Sequence, residues 1–488
     1  MTIPNIVDET RDQLEQLLSM VSRCASEEKS TAYQVEQDLF AGVLKMGQQL
    51  LQHYFNLCGR LETKQTVIEK AGDCYPSAGQ SSRKYRSVFG EVKMERQYYW
   101  KVGRGGCHPL DAALSLPQEI YSDWVQELVA KRTTEMPYEK ALDQLGELLP
   151  VEMSKGTAEQ ITMTHATDVT AYYAQTPTPD PIAEDTILVA TADGKGIPMI
   201  AKDSPSPKNR REKGHKTAKK TATVVAAYTV APYQRDTDTL IASLLKQTPP
   251  VLPSTSGRPE PHHKHIFATL DGQPAAFTSL EKLLEQRDTD HIVHRVALTD
   301  GDHGLHNRVH TQLPDFTLVL DIMHVLGYLW NAVDVFFKPG HPLRFLWMEM
   351  ALRCLFEDNL EHLCHFLRVQ CDASCFTASQ HKALRTTLTY IDNNRDYMDY
   401  QTYLALGFPI ASGIIEGTCR YFIGNRFERS GMRWSREGAE AMLQLRAVAL
   451  NDHRADFQCF RRQQKHRRLY ATRHPMLFSQ SVALQLVA

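Results

Sequence analysis

The sequence predicts a multidomain α+β chain. It has an N-terminal helical and small β region, a helix-turn-helix-like unit, and an α/β domain interrupted by an all-helical block. Three observations carry this reading. Apolar residues recur at helical spacing through residues 8–57 and again through 121–173. The run Thr176-Pro-Thr-Pro-Asp-Pro181 blocks both helix and ladder and marks a boundary. Beyond it lie short apolar runs, bounded by turns or helical stretches, that read as buried strands. At 488 residues the chain is roughly three typical domains long.

Leu14, Leu17, Leu18 and Val21, then Leu39, Val43, Leu44, Leu50 and Leu51, define two amphipathic helices in an arm over 1–75. Through residue 40 the arm holds eight acids against three bases, which suits a protein contact or dimerisation better than a DNA grip. Residues 84–102 alternate in Val and Tyr and meet the turn Gly103-Arg104-Gly105-Gly106, a small β-hairpin within 76–120. Over 121–175 three helical segments split near Met136-Pro137 and Leu149-Pro150, the third opening at Ser154 as an N-cap. That pattern suits a DNA-binding unit, although three helices around one core also occur in proteins that never touch DNA.

Runs at 186–191, 221–228, 294–298 and 316–320 are the strands of an α/β core whose first part spans 182–341. Residues 342–405 are helical throughout. The chain then crosses Gly407-Phe-Pro409 into a long segment through Leu450, so the core resumes over 406–452 and a basic tail occupies 453–488.

Hydrophobic residues at 42% and charged residues at 23% are ordinary globular usage, which excludes a disordered chain. Lys plus Arg is 55 and Asp plus Glu is 57, a net charge of −2, so any nucleic-acid surface must be local. Three stretches qualify: residues 206–220 hold seven bases against one acid, 420–436 five against one, and 454–473 seven against one. Each also has the simpler reading of a solvated face. The N-terminus carries acids where a secretory peptide has bases, and no apolar run approaches the ~20 residues needed to span a bilayer. Ten cysteines scattered through a long chain suit a reducing compartment. The expected location is cytoplasmic and nucleoid-associated, without a membrane anchor.

Asp193 follows the first strand of the α/β core and Asp300 closes another, so two carboxylates stand at strand ends, where open α/β sheets place their sites. Converging acids there suit Mg²⁺, a hard cation that takes oxygen ligands. Glu416, in Ser412-Gly-Ile-Ile-Glu-Gly417, is a third acid, followed by Arg420, Arg426, Arg429 and Arg433 on one expected helix. An acid followed by such arginines suits joint binding of metal and phosphodiester. A lone Asp-Gly is more often a turn, so the constellation matters more than its members. Gly194-Lys195-Gly196 lacks the spacing of a phosphate-binding P-loop. Cys364, Cys371 and Cys375 beside His362 and His365 lack paired zinc spacing and read as core thiols.

The runs Asp193-Gly-Lys-Gly-Ile-Pro-Met199, Asp300-Gly-Asp-His-Gly-Leu305, Asp321-Ile-Met-His324 and Ser412-Gly-Ile-Ile-Glu-Gly417 precede Glu428-Arg-Ser-Gly-Met-Arg-Trp-Ser435. Together they resemble an insertion-sequence transposase of the ISKra type, near the mutator-like DDE enzymes. The resemblance spans about residues 108–450, includes Pro109-Leu-Asp111 and Tyr121-Ser122, and is most specific in the terminal Arg-Ser-Gly-Met-Arg-Trp block.

The resemblance implies a ribonuclease-H-like catalytic fold with an all-helical insertion before the last acid, and it makes Asp193, Asp300 and Glu416 the DDE triad. Asp321 competes with Asp300, since both end a strand; the family pattern gives catalysis to the Asp-Gly and a neighbouring signature to Asp321 and His324. His324 is either a partner near the site or a structural residue. The triad would hold two Mg²⁺ ions, with Mn²⁺ as substitute, about 4 Å apart for in-line phosphodiester displacement. Partners implied are the DNA of the element's ends and of its target, bound by at least a dimer. Lys195, Arg420, Arg426, Arg429, Arg433 and Trp434 are the candidate DNA contacts, Trp434 either stacking on an unpaired base or packing in the core. The hairpin before Pro109 departs from relatives with paired cysteines, since only Cys107 lies nearby, which argues against zinc there. Two other readings share these residues: a silent transposase-derived DNA-binding protein acting as repressor or architectural factor, and a metal-dependent nuclease without strand transfer.

Overall fold

The computed structural model describes residues 3–26, 30–70, 72–204, 219–247 and 258–470, with backbone alone for residues 3–7, 414, 416 and 430. Among these residues the chain is mixed α+β with one four-stranded and one five-stranded sheet. It divides into two compact units, Met1–Ala174 with His453–Ala488, and Gln175–Asp452. The expected basic tail is therefore, in its described part, a helix of the first unit.

In the first unit α1 (Ile3–Ser26) and α2 (Ala32–Leu61) form the arm. A capping box opens α2: the Thr31 hydroxyl accepts from Gln34 N and the Gln34 side chain accepts from Thr31 N. Strands β1 (Val67–Lys70), β2 (Asp73–Ser87), β3 (Gly90–Lys101) and β4 (Gly105–Cys107) form an antiparallel sheet in chain order. This sheet starts inside the stretch assigned from sequence to the arm, and it extends the expected hairpin to four strands.

β4 pairs with Tyr99–Lys101 of β3, which leaves the edge of β3 near Glu91 and Lys93 without a strand partner among the described residues. α2 fills that edge with amide side chains. Gln48 donates to Glu91 O at 2.7 Å, and Gln52 donates to Lys93 O at 2.6 Å while accepting from Lys93 N at 2.8 Å. Phe55 and Cys58 of α2 pack with Val92, Met94 and Leu110 beneath it. Then come α3 (Pro109–Ala113), α4 (Asp123–Glu135), α5 (Tyr138–Leu148), α6 (Lys155–Ala166) and α7 (Val169–Tyr173). Helices α4 to α6 stand where the apolar spacing predicts helices, with Ser122 and Ser154 accepting from Val125 N and Thr157 N as N-caps.

The second unit holds β5 (Ile187–Pro198), β6 (Lys219–Val230), β7 (His262–Thr269), β8 (His294–Thr299) and β9 (Thr317–Leu320), in spatial order β7-β6-β5-β8-β9. The β5–β6 and β6–β7 pairs are antiparallel; β5–β8 and β8–β9 are parallel. Its helices are α8 (Thr237–Leu244), α9 (Gln273–Arg287), α10 (His303–Gln312), α11 (Ile322–Phe336), α12 (Leu343–Phe356), α13 (Leu360–Cys371), α14 (Ala378–Asn394) and α15 (Tyr400–Ala405). Even-numbered residues of β5, Leu188, Ala190 and Ala192, meet Phe277, Leu280 and Leu305 from α9 and α10. Odd-numbered Ile187 and Val189 join Val296, Leu298 and Val319 in a larger core with α8 and α11 to α15. Cys364 and Cys371 are buried in that core, whereas Cys375, also expected there, is exposed.

Past α15 the chain runs through α16 (Gly413–Cys419), a π-helical turn (Arg420–Gly424), α17 (Asn425–Phe427), a 3₁₀ turn (Arg429–Gly431) and α18 (Arg436–Leu450). The single helix expected from Glu416 through Arg433 is thus broken. Buried Arg446 of α18 donates to the carbonyls of Phe422 (2.7 Å) and Tyr421 and so ties α18 to the π-helical turn. Asn451 exchanges two hydrogen bonds with the Ile266 backbone and Glu440 accepts from Leu270 N at 2.8 Å, so residues on and just after α18 cover the outer edge of β7. The last helix, α19 (Arg454–Tyr470), belongs to the first unit. No helix among the described residues is long and apolar enough to cross a membrane.

Candidate active site: carboxylates at adjacent strand ends

Register brings the strand-end acids level. Thr191 of β5 pairs with Leu298 of β8, and Thr299 of β8 with Leu320 of β9. Two residues beyond the first pair stand Asp193 and Asp300; one residue beyond the second stand Asp300 and Asp321. Asp321 N also donates to Thr299 O at 2.8 Å, which carries the β8–β9 spacing past the last pair. Neighbouring strands lie about 4.8 Å apart, so three aspartates form a row across adjacent strands. By strand alternation all three belong to the face shared by Val189, Leu298 and Val319, on the side of the helical block.

Asp193 does not follow its strand, as the sequence reading has it. It lies within β5, which continues to Pro198 because β6 pairs with it over all twelve residues, while β8 stops at Thr299. Asp193 is thus a strand end only with respect to its parallel neighbour.

The acids differ in environment. Asp300 is half-buried; desolvation pushes its carboxyl up, with the charge of Asp193 adding to the shift, against one hydrogen bond from Asp302 N at 3.1 Å. Asp321 is fully buried and its carboxylate accepts from Ser412 N (3.2 Å), the Ser412 hydroxyl, Met323 N (2.9 Å) and His324 Nδ1 (3.0 Å). Burial alone would raise it, but these bonds outweigh burial and hold it below the usual carboxylate range. His324, with its side chain 43% exposed, is pushed up chiefly by its bond to Asp321, with Asp300 and Asp193 adding.

The Asp300-Gly301 turn is shaped by α14. The Tyr390 hydroxyl donates to Asp300 O at 2.9 Å. Gly301 takes φ +90°, and a Cβ there would stand 2.9 Å from that hydroxyl, so a side chain fits neither the dihedral nor the space.

Glu416 lies in α16, which packs on β5 and β6; its side chain lies outside the described residues. One turn later stands buried Cys419; desolvation and the nearby Asp193 carboxylate push its thiol up. The backbone of α16 thus packs against β5, with Cys419 near Asp193, and is fastened through Ser412 beside Asp321 at its start. Among the described residues no group of three or more His, Cys, Asp or Glu is disposed to hold a metal ion. Asp193 and Asp300 supply two hard oxygen donors whose mutual repulsion a cation would relieve.

Neither a family model nor a curated protein matches this chain.

Two of the expected DNA contacts are corrected. Arg426 is 0% and Trp434 6% exposed, and the guanidinium lies over the indole at 4.7 Å. Trp434 N donates to Pro198 O, its carbonyl accepts from Ile200 N, and its Nε1 donates to Phe427 O. The most specific block of the resemblance therefore closes the end of the β5–β6 hairpin, and neither side chain has surface for a phosphate or base. Arg420, Arg429 and Arg433 are exposed and Lys195 is half-buried; Lys195 is close enough to Cys419 to affect its thiol.

The basic stretch at 454–473 is corrected too. Arg454 pairs with Glu135, Arg461 and Lys465 with Asp123, Arg462 with Glu127, and Arg468 with Asp168. These charges tie α19 to α4 and to Asp168, just before α7, and do not form a free cationic face; residues 471–473 lie outside the described residues. Of the stretch at 206–220, residues 206–218 lie outside the described residues, and the described Lys219 pairs with Glu428. Asp111, in the motif Pro109-Leu-Asp111, pairs with Arg83 (3.1 Å) and Arg96 and so fastens α3 to the first sheet.

Sequence reasoning missed Tyr390, Cys419 and Arg446. Ser412 was legible only as part of its motif.

Proposed function

We propose that the chain is a DDE-class insertion-sequence transposase of the ISKra type with a ribonuclease-H-like catalytic core, cutting and joining DNA at the Asp193–Asp300 end of the central sheet. The level placement of Asp193 and Asp300 on adjacent parallel strands carries the reading, because phosphodiester displacement needs acidic oxygens converging on one point. The strand order, three antiparallel strands followed by two parallel ones, supports the core assignment, as does the helical block between β9 and the helix bearing Glu416.

Asp193, Asp300 and Glu416 would hold Mg²⁺, or Mn²⁺ in its place. When bound, two such ions lower the pKa of an attacking water or 3′-hydroxyl and stabilise the leaving 3′-oxygen. The chain's own residues do the rest. Asp321 acts as a positioning residue: saturated by four hydrogen bonds, it pins Ser412 and with it the start of α16. His324, held by Asp321, is a proton-bearing group at the edge of the row. Arg420, Arg429, Arg433 and Lys195 are the proposed phosphate contacts, which position DNA without reading its sequence.

Recognition of the element's ends is proposed for α4 to α6 as a helix-turn-helix-like unit, in which Lys155 and Gln160 of α6 are exposed. The acting form is a dimer or larger on DNA, working in the cytoplasm at the nucleoid.

The test uses a plasmid carrying a marker between the DNA segments that border the gene, incubated with protein and Mg²⁺ or Mn²⁺. Metal-dependent breaks at defined ends, joined to new DNA by wild type and absent with Glu416→Gln, support the reading. Breaks without joining leave a nuclease, binding without breaks leaves a DNA-binding protein without the chemistry, and equal cutting by Glu416→Gln removes that residue from the triad.

A further inference from the structure

Beside Asp300, between α11 and α14, is a cavity of about 700 Å³ whose lining includes Tyr328, Lys382, Arg385, Thr389, Tyr390 and Asn393. No acid lines it. Lys382 and Arg385 are exposed and make no ion pair among the described residues, unlike Arg353, Arg368 and Arg395 elsewhere in the helical block. They lie one turn apart on α14, and Thr386 and Thr389 continue the same side with hydroxyl groups.

The inner end of the cavity is built. Tyr328 and Tyr390 stack with centroids 3.8 Å apart and planes 17° apart, and the Tyr390 hydroxyl holds Asp300 O. Tyr328 stands one turn beyond His324 on α11, so the same helix links the cavity to the carboxylate row. From Tyr390 to Lys382 the helix rises about 12 Å, some three to four base pairs of duplex at ~3.4 Å each.

We infer that this groove receives the phosphate backbone of duplex DNA and leads it to Asp300, with Lys382 and Arg385 as its phosphate contacts. The inference rests on the transposase reading above and names a surface that neither the triad nor the arginines after Glu416 supply. Charge complementarity selects the occupant: two cations without an ion pair, the Thr389 hydroxyl and the Asn393 amide, and no carboxylate among the described lining residues, ending at a row of acids that must meet a phosphodiester. Because the contacts are to phosphates, they add affinity and position without sequence preference.

The test is binding of the full chain to a fluorescent DNA duplex in metal-free buffer, by anisotropy, across a salt series. Lys382→Ala/Arg385→Ala is compared with wild type and with Lys382→Arg/Arg385→Lys. The alanine pair should lower the slope of log affinity against log salt by about two and weaken binding on the order of tenfold, equally for unrelated sequences. The conservative pair should restore most of both, and thermal melting should match wild type, since both side chains are exposed. A wild type that binds DNA with a slope unchanged by the alanine pair overturns the groove and leaves the transposase reading standing. A loss seen on an RNA duplex but not on DNA also overturns it. A wild type that binds no DNA overturns both.

Discussion

Ser412 donates two hydrogen bonds to Asp321, 91 residues earlier, one from its backbone N–H at 3.2 Å and one from its hydroxyl. The pair joins the end of β9 to the residue that opens α16, across the whole helical block. A backbone segment of seven residues, α16, would otherwise be a weak platform for a catalytic acid, because so short a helix has little stability of its own.

Breaking this latch should cost stability as well as activity. Asp321→Asn leaves buried donors poorly matched and should destabilise the chain by about 2–3 kcal/mol, Ser412→Ala by about 1–2. Asp300→Asn should instead raise the melting temperature at neutral pH, since it removes a partly desolvated charge facing Asp193. Thermal melting of the three variants checks this; an Asp321→Asn protein as stable as wild type contradicts the latch.

The two shifted groups give opposite pH slopes. The folded-state pKa of His324 is raised above its ordinary 6.5, so its contribution is fully present below that value and fades as pH rises through the folded pKa. The pKa of Asp321 is lowered from 3.8, so its contribution is present above that value and fades as pH falls through the folded pKa. Melting curves from pH 5 to 9 should therefore show wild type losing its advantage over His324→Gln above neutrality. A pH-independent difference would contradict the His324–Asp321 bond.

Tyr390 should matter through position. Tyr390→Phe removes the bond to Asp300 O, a change of about 1 kcal/mol, and should slow strand cutting several-fold with DNA affinity unchanged. Gly301→Ala, forced to φ +90° against the same hydroxyl, should be more damaging to both stability and cutting. Single-turnover cutting beside binding measurements separates the two effects.

The basic helix α19 should behave as structure. Asp123→Asn strands Arg461 and Lys465, 2% and 10% exposed at their side chains, and should destabilise the first unit by about 3–5 kcal/mol. Buried His165 sharpens this, since desolvation, with Arg461 and Lys465 adding, already holds its pKa well down. Wild-type thermal stability in this variant would return those cations to the list of free DNA contacts.

What the sequence conveyed depended on how plainly burial is written in residue type. Four strands of the central sheet were legible because Val, Ala, Leu and Ile run through them without break, the mark of strands covered on both faces. β7 was not, because His262, His263, Lys264 and His265 open it and only its last residues alternate. The acids were legible from their Asp-Gly turns, yet the place of Asp193 within β5 depends on how far β6 pairs, a tertiary fact. Arg426 with Trp434, and the arginines of α19, misled for one reason: a guanidinium stacked or paired in a core has the same sequence signature as one facing a phosphate. Tyr390 lies ninety residues from the turn it supports, and no spacing announces it.

The most direct measurement is metal-dependent cutting of end-containing DNA by Asp193→Asn and Asp300→Asn, each first shown to melt at or above the wild-type temperature. The account predicts that both lose cutting by on the order of a thousandfold or more while still binding DNA. Cutting at the wild-type rate by either variant would contradict the site proposed at the end of the sheet.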